Sequence, residues 1–307
     1  MILKKPKFWG TKNFISLLLY PLSTITYLIN FSKKFTSKKI FKIKTICVGN
    51  IFLGGTGKTS LAIEIYKLLN TKLKPVFIKK NYKNQFDEIN LLKKKGNTIS
   101  ANNRENALLK AKNKKFEIAI LDDGLQQKNI HYDLKIVCFN TEEAFGNEFM
   151  IPAGPLRESV NEIKKYDFAF LNGEKKNNKL ISKLKSINKD IKIYEGKYKP
   201  LNLNKFNKKK KYLMFCGIGN PLEFEKTLIK YKFKIKHKVI YPDHYKISNH
   251  EIIQLKENAK KNNLILITTE KDFFRLSKTE RKNIKFLKIE LKIKNILNFK
   301  KDLMTKL

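Results

Sequence analysis

The run Gly54-Gly55-Thr56-Gly57-Lys58-Thr59-Ser60 has the residue types needed to hold a polyphosphate. Glycines let backbone N–H groups approach phosphate oxygens with no side chain in the way. Lys58 is placed to reach the β- and γ-phosphates, and the Thr59 hydroxyl to hold Mg²⁺. Further on, the apolar run Phe116 to Leu121 ends in Asp122 and Asp123. A strand ending in carboxylates is how a phosphate-loop protein presents a Mg²⁺-organising acid opposite the loop threonine. One residue departs from the usual loop, because Phe52 stands where its first glycine is expected.

These groups need elements to position them. Ile43 to Val48 reads as a strand entering the loop, and Ala62, Ile65, Leu68 and Leu69 continue as a helix. Strands are expected at 43–49, 75–79, 116–121, 134–139 and 167–171, with helices near 58–70 and 103–112. Such alternation argues for a parallel sheet covered on both faces. A lysine-rich stretch from Pro200 to Lys211 reads as a linker. Beyond it come strands at 212–216, 236–241, 263–268 and 284–289, with helices at 221–231 and 249–261. The expected fold is α/β: a P-loop NTPase-like parallel-sheet lobe, a second smaller α/β lobe, and an N-terminal membrane-associated helix. The expected bounds are 1–40 for the anchor, 41–205 for the kinase-like lobe and 206–307 for the second.

The anchor is read from Phe14 to Phe31, eighteen residues with no charge, flanked by lysines on both sides. That length is at the lower edge of what crosses a bilayer as a helix, and Pro21 interrupts it. No small-residue cleavage site follows, so a cleaved leader is not expected. A membrane-seated helix is, with Trp9 and Tyr20 at interface depth and lysines against acidic headgroups.

The 307 residues carry a formal charge of +39, yet only four of the 66 basic residues are Arg. Lys, Asn and Ile are heavy everywhere, which points to a global residue bias. A phosphate-reading nucleic-acid surface would use clustered Arg forks, so no nucleic-acid partner is expected and an acidic membrane surface is. No obligate protein partner is evident. Cys47, Cys138 and Cys216 are far apart, giving neither a disulfide framework nor a thiolate metal site, and fit a reducing cytoplasm.

Other segments concentrate unusual residues. Phe145-Gly146-Asn147 and Ile151-Pro152-Ala153-Gly154-Pro155-Leu156-Arg157-Glu158 hold turn formers too dense for an element interior. An Arg in a lysine-dominated chain suggests that bidentate geometry matters at Arg157. Tyr241-Pro242-Asp243-His244-Tyr245 carries one of four histidines, and a histidine near neutral pKa suits proton transfer. Lys79-Lys80-Asn81-Tyr82 and Phe86-Asp87-Glu88-Ile89 read by themselves as ordinary loop residues.

Together these segments resemble the tetraacyldisaccharide 4′-kinase family of lipid A biosynthesis. The likeness runs from Phe8-Trp9 and Leu19-Tyr20-Pro21-Leu22 to Thr269-Glu270-Lys271-Asp272. It takes in the Gly49-Asn50 to Thr59 loop, Asp122-Asp123-Gly124-Leu125-Gln126 and Gly217-Ile218-Gly219-Asn220-Pro221. Pro152 to Glu158 is its most specific match. Departures are Gln127 for the family's His, Lys79-Lys80-Asn81-Tyr82 for its Ser-Arg-Gly-Tyr, and a trimmed connection to Asp87. The resemblance implies transfer of the γ-phosphoryl of ATP to the 4′-hydroxyl of a tetraacylated disaccharide 1-phosphate, with Mg²⁺, at the cytoplasmic face of the bacterial inner membrane. It implies Asp87 as catalytic base supported by His244, and Asp122 and Asp123 organising Mg²⁺ or the hydroxyl. It also implies Tyr82, Arg157 and Glu158 on the substrate side. The alternative is a membrane-associated P-loop ATPase of the partitioning or maturation type; its signature Lys before the paired glycines is Leu53 here.

Overall fold

The computed structural model describes residues 6–81, 86–243 and 245–307; of Lys34, Phe86 and Asp87 it describes the backbone alone. The first helix, α1 (Phe14–Ser32), starts at a capping box in which the Asn13 side chain accepts from Ser16 N and the Ser16 hydroxyl from Asn13 N. Ser16 and Ser23 are buried and Thr26 and Asn30 half-buried, so the inward face is made of small polar residues. Phe14, Leu17, Leu18, Leu22, Ile25, Leu28 and Ile29 are exposed. This reverses the ordinary surface helix, which turns its apolar stripe to the core. Tyr20 is exposed and packs against Phe149 with ring centroids 4.9 Å apart. Trp9, expected at membrane-interface depth, is instead buried and donates Nε1–H to the Pro152 carbonyl at 3.0 Å. A buried indole N–H needs an acceptor, and the Pro152 turn supplies one.

Next come β1 (Lys44–Gly49), α2 (Lys58–Leu69), β2 (Pro75–Lys80), α3 (Phe86–Lys95), β3 (Thr98–Ala101), α4 (Arg104–Asn113) and β4 (Ile118–Asp122). The chain continues through β5 (Leu134–Asn140), β6 (Phe168–Asn172), α5 (Asn178–Ile187) and β7 (Lys192–Pro200). Then follow β8 (Lys211–Cys216), α6 (Pro221–Lys230), β9 (Lys234–Ile240), α7 (Asn249–Lys261), β10 (Ile265–Thr269), α8 (Glu270–Arg275) and β11 (Ile284–Leu287). The last elements are β12 (Ile289–Ile293) and α9 (Ile296–Lys306).

The larger sheet has the order β12-β7-β6-β5-β1-β4-β2-β3, and its strands from β7 to β3 pair in parallel. Parallel strands are buried on both sides, which is why β1, β4 and β6 are nearly continuous apolar runs. Alternate residues serve alternate faces. Cys47, Val76, Ile78, Leu121 and Val137 pack with Ala107 and Leu108 of α4 and Leu180 and Leu184 of α5. On the other side Tyr66 of α2 stacks on Phe77 at 4.5 Å, and Phe299 of α9 meets Tyr194 at 4.8 Å. The smaller sheet, β11-β10-β8-β9, is parallel throughout and has α6 on one face and α7 on the other.

The chain divides into two compact units. Among the described residues the larger holds 6–81, 92–198 and 291–307, and the smaller holds 86–91 and 199–290. The sequence reading had one boundary between them, at 205/206. The strand expected over 284–289 is two strands. At Lys288 the backbone leaves the β11 ladder, its N–H going to Asn202 Oδ1 (2.9 Å) and its carbonyl accepting from Leu201 N (2.9 Å). The following residues, β12, then edge the larger sheet.

Candidate active site

The carboxyl end of β1 is where strand order reverses, with β4 on one side and β5 on the other. Such switch points are where open α/β sheets bind ligands. The 54–60 loop leaves β1 there and runs into α2. Gly57, at the N-cap of α2, has φ +86° and gives no side-chain cap, so the first N–H groups of the helix are left for another acceptor. A Cβ at Gly57 would also lie 2.8 Å from Asn172 Nδ2 and 3.0 Å from the Tyr198 hydroxyl. Asn50, fully buried, braces the loop by donating to the carbonyls of Phe52 (2.5 Å) and Gly54 (3.3 Å).

β4 pairs with β1 so that Asp122 lies beside Val48, and Asp123 N donates to Val48 O at 2.8 Å. This register puts the acid beside the loop, and Thr59 Oγ1 donates to Asp122 Oδ2 at 3.0 Å. Asp123 has φ +61°, a left-handed turn that Asp tolerates better than most residues. Its carboxylate takes Arg157 Nη1 at 3.0 and 3.1 Å. Burial pushes the Asp123 carboxyl up, but the charges of Lys58, Arg157 and Lys79 outweigh it and hold the group at about 2.

Phe52 has a structural reason for standing in place of a loop glycine. It is buried, it bridges Leu156 in antiparallel fashion, and its neighbours Leu53 N and Ile51 O bond to Pro155 O (2.8 Å) and Arg157 N (2.7 Å). The Pro152–Glu158 segment is thus a short strap on the phosphate loop, and it delivers Arg157 to Asp123. Glu158 lies beneath, 1% exposed, with its carboxylate taken by Lys128, Tyr166 (3.0 Å) and Gln126 (3.1 Å). The strap is tied in turn to α1. Ser23 Oγ donates to Met150 O (2.8 Å), Thr26 Oγ1 to Ile151 O (2.7 Å) and Asn30 Nδ2 to Arg157 O (2.8 Å).

In the smaller unit four of the quoted segments meet, those of Gly217, Thr269–Asp272, Glu88 and Asp243. Asp272 is buried, and its carboxylate accepts from Gly217 N (3.0 Å), Thr269 Oγ1 (2.7 Å) and Arg275 Nη1 (2.6 Å). Lys271 Nζ lies 3.3 Å from Glu88 Oε1 and 3.7 Å from Asp243 Oδ1. Asp87 lies in the first turn of α3 with its backbone alone described, and Tyr82 and His244 fall outside the described residues.

Sequence reasoning passed over Lys79, Asn172 and Tyr198. Lys79, the last residue of the expected 75–79 strand and given no role there, lies inside β2, 2% exposed, with Nζ 2.7 Å from Asp122 Oδ2. Nothing in a chain this rich in lysine sets that one apart. Tyr198 donates to Ser60 Oγ at 3.1 Å, and Asn172 ends β6 fully buried. Their signal was positional, since both come from strands beside or beyond β5 on the loop's side of the sheet.

Thr56 Oγ1, Asp122 Oδ1 and both amide atoms of Asn172 are buried without a hydrogen-bond partner. Buried polar atoms are nearly always satisfied, so this cluster is built to receive a polar group. A hydroxyl, an amide, a carboxylate oxygen, Lys58 and a bare helix N-terminus fit a phosphate chain with a hydrated Mg²⁺.

The sequence model of the family described as Tetraacyldisaccharide-1-P 4'-kinase (LpxK) matches residues 15–307. A tetraacyldisaccharide 4'-kinase of Pelagibacter ubique (strain HTCC1062) is 48% identical over 308 residues, 97% of this chain and 97% of its own. One of Rickettsia canadensis (strain McKiel) is 35% identical over 315 residues, 94% of this chain and 93% of its own. Among solved structures, LpxK from Aquifex aeolicus in complex with ATP aligns with a TM-score of 0.71 over 95% of this chain and 99% of its own. At 24% identity that likeness speaks for the fold. A match over nearly the whole length, together with relatives of this identity, means that the chain belongs to the tetraacyldisaccharide 4′-kinase family.

Proposed function

We propose that this protein transfers the γ-phosphoryl group of ATP to the 4′-hydroxyl of a tetraacyldisaccharide 1-phosphate, giving lipid IVA, at the cytoplasmic face of the inner membrane. The observation that carries the reading is the meeting of β1 and β4, where an uncapped helix N-terminus, Lys58 and Thr59 face Asp122 and Asp123. Family membership supplies the acceptor. A partitioning or maturation ATPase is not favoured, because the family match extends through both units.

Phosphoryl transfer asks mainly for positioning and charge stabilisation. The N–H groups from Gly54 to Thr59 hold the phosphates, and Lys58 offsets the charge that grows on the β–γ bridge. Thr59, Asp122 and Asp123 would hold Mg²⁺, which would supply neutralisation of phosphate charge. Asp87 accepts the proton of the sugar hydroxyl, and His244 orients that carboxylate. Support comes from their chain neighbours, since Glu88 and Asp243 share Lys271. Arg157 and Tyr82 act on the substrate side, and Glu158 supports the strap from below.

The acceptor is a lipid, so the enzyme works at a bilayer surface. By length and composition α1 could cross a membrane. Its bonds at Ser23, Thr26 and Asn30 to the strap favour a helix lying along the unit with its apolar side in lipid. The test is incubation of detergent-purified protein with Mg-ATP and the disaccharide 1-phosphate. Mass spectrometry should find one added phosphate, and its absence would overturn the reading.

A further inference from the structure

We infer that Lys79 is a resident cation of the phosphate site, a positioning residue that does part of the charge balancing otherwise left to a divalent metal. The inference rests on the nucleotide-binding reading above. Lys79 is 2% exposed and Asp122 is fully buried, with Lys79 Nζ 2.7 Å from Asp122 Oδ2. The same oxygen accepts Thr59 Oγ1 at 3.0 Å, so ammonium, carboxylate and loop hydroxyl form one cluster. A buried ammonium is costly unless it is paired and hydrogen-bonded. Here it is held by strand β2, whose backbone is fixed on both sides by β3 and β4.

The consequence is electrostatic. The two carboxylates of the site, Asp122 and Asp123, already meet Lys79 and Arg157, with Lys58 a third cation acting on Asp123. A triphosphate entering the loop therefore meets Asp122 and Asp123 already paired with cations, even before a metal arrives. Asp122 Oδ1 is buried and left without a hydrogen-bond partner. Lys79 thus fixes which oxygen of Asp122 is taken and which is open to a metal-bound water.

The test is calorimetric titration of the β,γ-methylene analogue of ATP into the full, detergent-solubilised chain, in excess EDTA and in excess Mg²⁺. The wild-type affinities are expected to differ by less than about a hundredfold, since Lys79 already cancels the repulsion between Asp122 and the phosphates that a metal would otherwise have to offset. Lys79→Ser should widen that ratio by at least about tenfold, and Lys79→Arg should keep it close to wild type. A merely structural lysine would weaken both titrations equally and leave the ratio unmoved. Because Lys79→Ser leaves Asp122 buried without its counter-ion, the wild-type ratio decides the matter alone should that variant fail to fold. A wild-type preference for Mg²⁺ above about a hundredfold, or an unchanged ratio in Lys79→Ser, overturns the proposal while leaving the nucleotide site standing. Absence of binding in both conditions overturns the nucleotide site and this proposal with it.

Discussion

Lys58 and Asp123 illustrate how single side chains carry the proposed chemistry. Lys58 sits on the first turn of an uncapped helix, where its charge adds to that of the helix terminus. Lys58→Ala is therefore expected to cut turnover by at least about a hundredfold while the circular dichroism spectrum stays native. Near-native activity would remove the loop from the reaction. Asp87→Asn should lower kcat by about 10²–10⁴ with KM little changed, as for a base that acts in the transition state. A change confined to KM would take Asp87 out of the chemistry. For Asp123, burial raises the carboxyl, and the charges of Lys58, Arg157 and Lys79 overcome this to hold it at about 2. A carboxyl depressed on folding contributes its stability above the ordinary value of about 4, and loses it as pH falls toward the folded value. Arg157→Ala should thus lower Tm at pH 7, and its deficit against wild type should shrink between about pH 4 and pH 2. A deficit that stayed constant over that range in thermal melts would mean that Arg157 stabilises by packing alone.

At the scale of elements, α1, the strap and the phosphate loop form one hydrogen-bonded series. Ser23, Thr26 and Asn30 hold carbonyls of Met150, Ile151 and Arg157, and the strap backbone holds Ile51 and Leu53. Asn30→Ala removes the link nearest Arg157, and should depress kcat severalfold on detergent-dispersed substrate, where capture at a membrane plays no part. Unchanged kcat would reduce the α1 contact to a tether. How far these relations could be read beforehand depends on range. The loop, the β4 acids and most parallel strands announce themselves through local periodicity and glycine spacing. Phe52 in place of glycine had no local rationale, because its cause is a backbone pairing with Leu156. Strand β7 reads as polar lysine-rich sequence, since it is half exposed beside β12. Lys79 was hidden because the partner that lets it be buried, Asp122, is distant in sequence. The split at Lys288 depends on Asn202, equally remote.

For the molecule as a whole, the surface asks what medium it meets. Contiguous apolar patches this large are rare on proteins that stay in water, and α1 presents Phe14, Leu17, Leu18, Ile25, Leu28 and Ile29 outward, with Phe35 and Ile40 beyond its end. Exposed lysines flank the helix in sequence, Lys12 before it and Lys33, Lys38 and Lys39 after it, in a chain of formal charge +39. Two attractions to a bilayer follow, and they respond differently to salt. Insertion of apolar side chains is insensitive to it, whereas lysine attraction to acidic headgroups is screened over about 10 Å at 0.1 M. The chain should therefore sediment with vesicles containing acidic phospholipid at low salt, and keep a reduced, salt-resistant fraction on purely zwitterionic vesicles. Leu18→Asp combined with Leu28→Asp places two carboxylates on the outward face of α1, away from the strap contacts. That variant should lose the salt-resistant fraction, keep part of the salt-sensitive one, and bind the ATP analogue as wild type does. If instead it sediments with zwitterionic vesicles undiminished, α1 is not the element that enters lipid, and another surface must bring the kinase to its substrate.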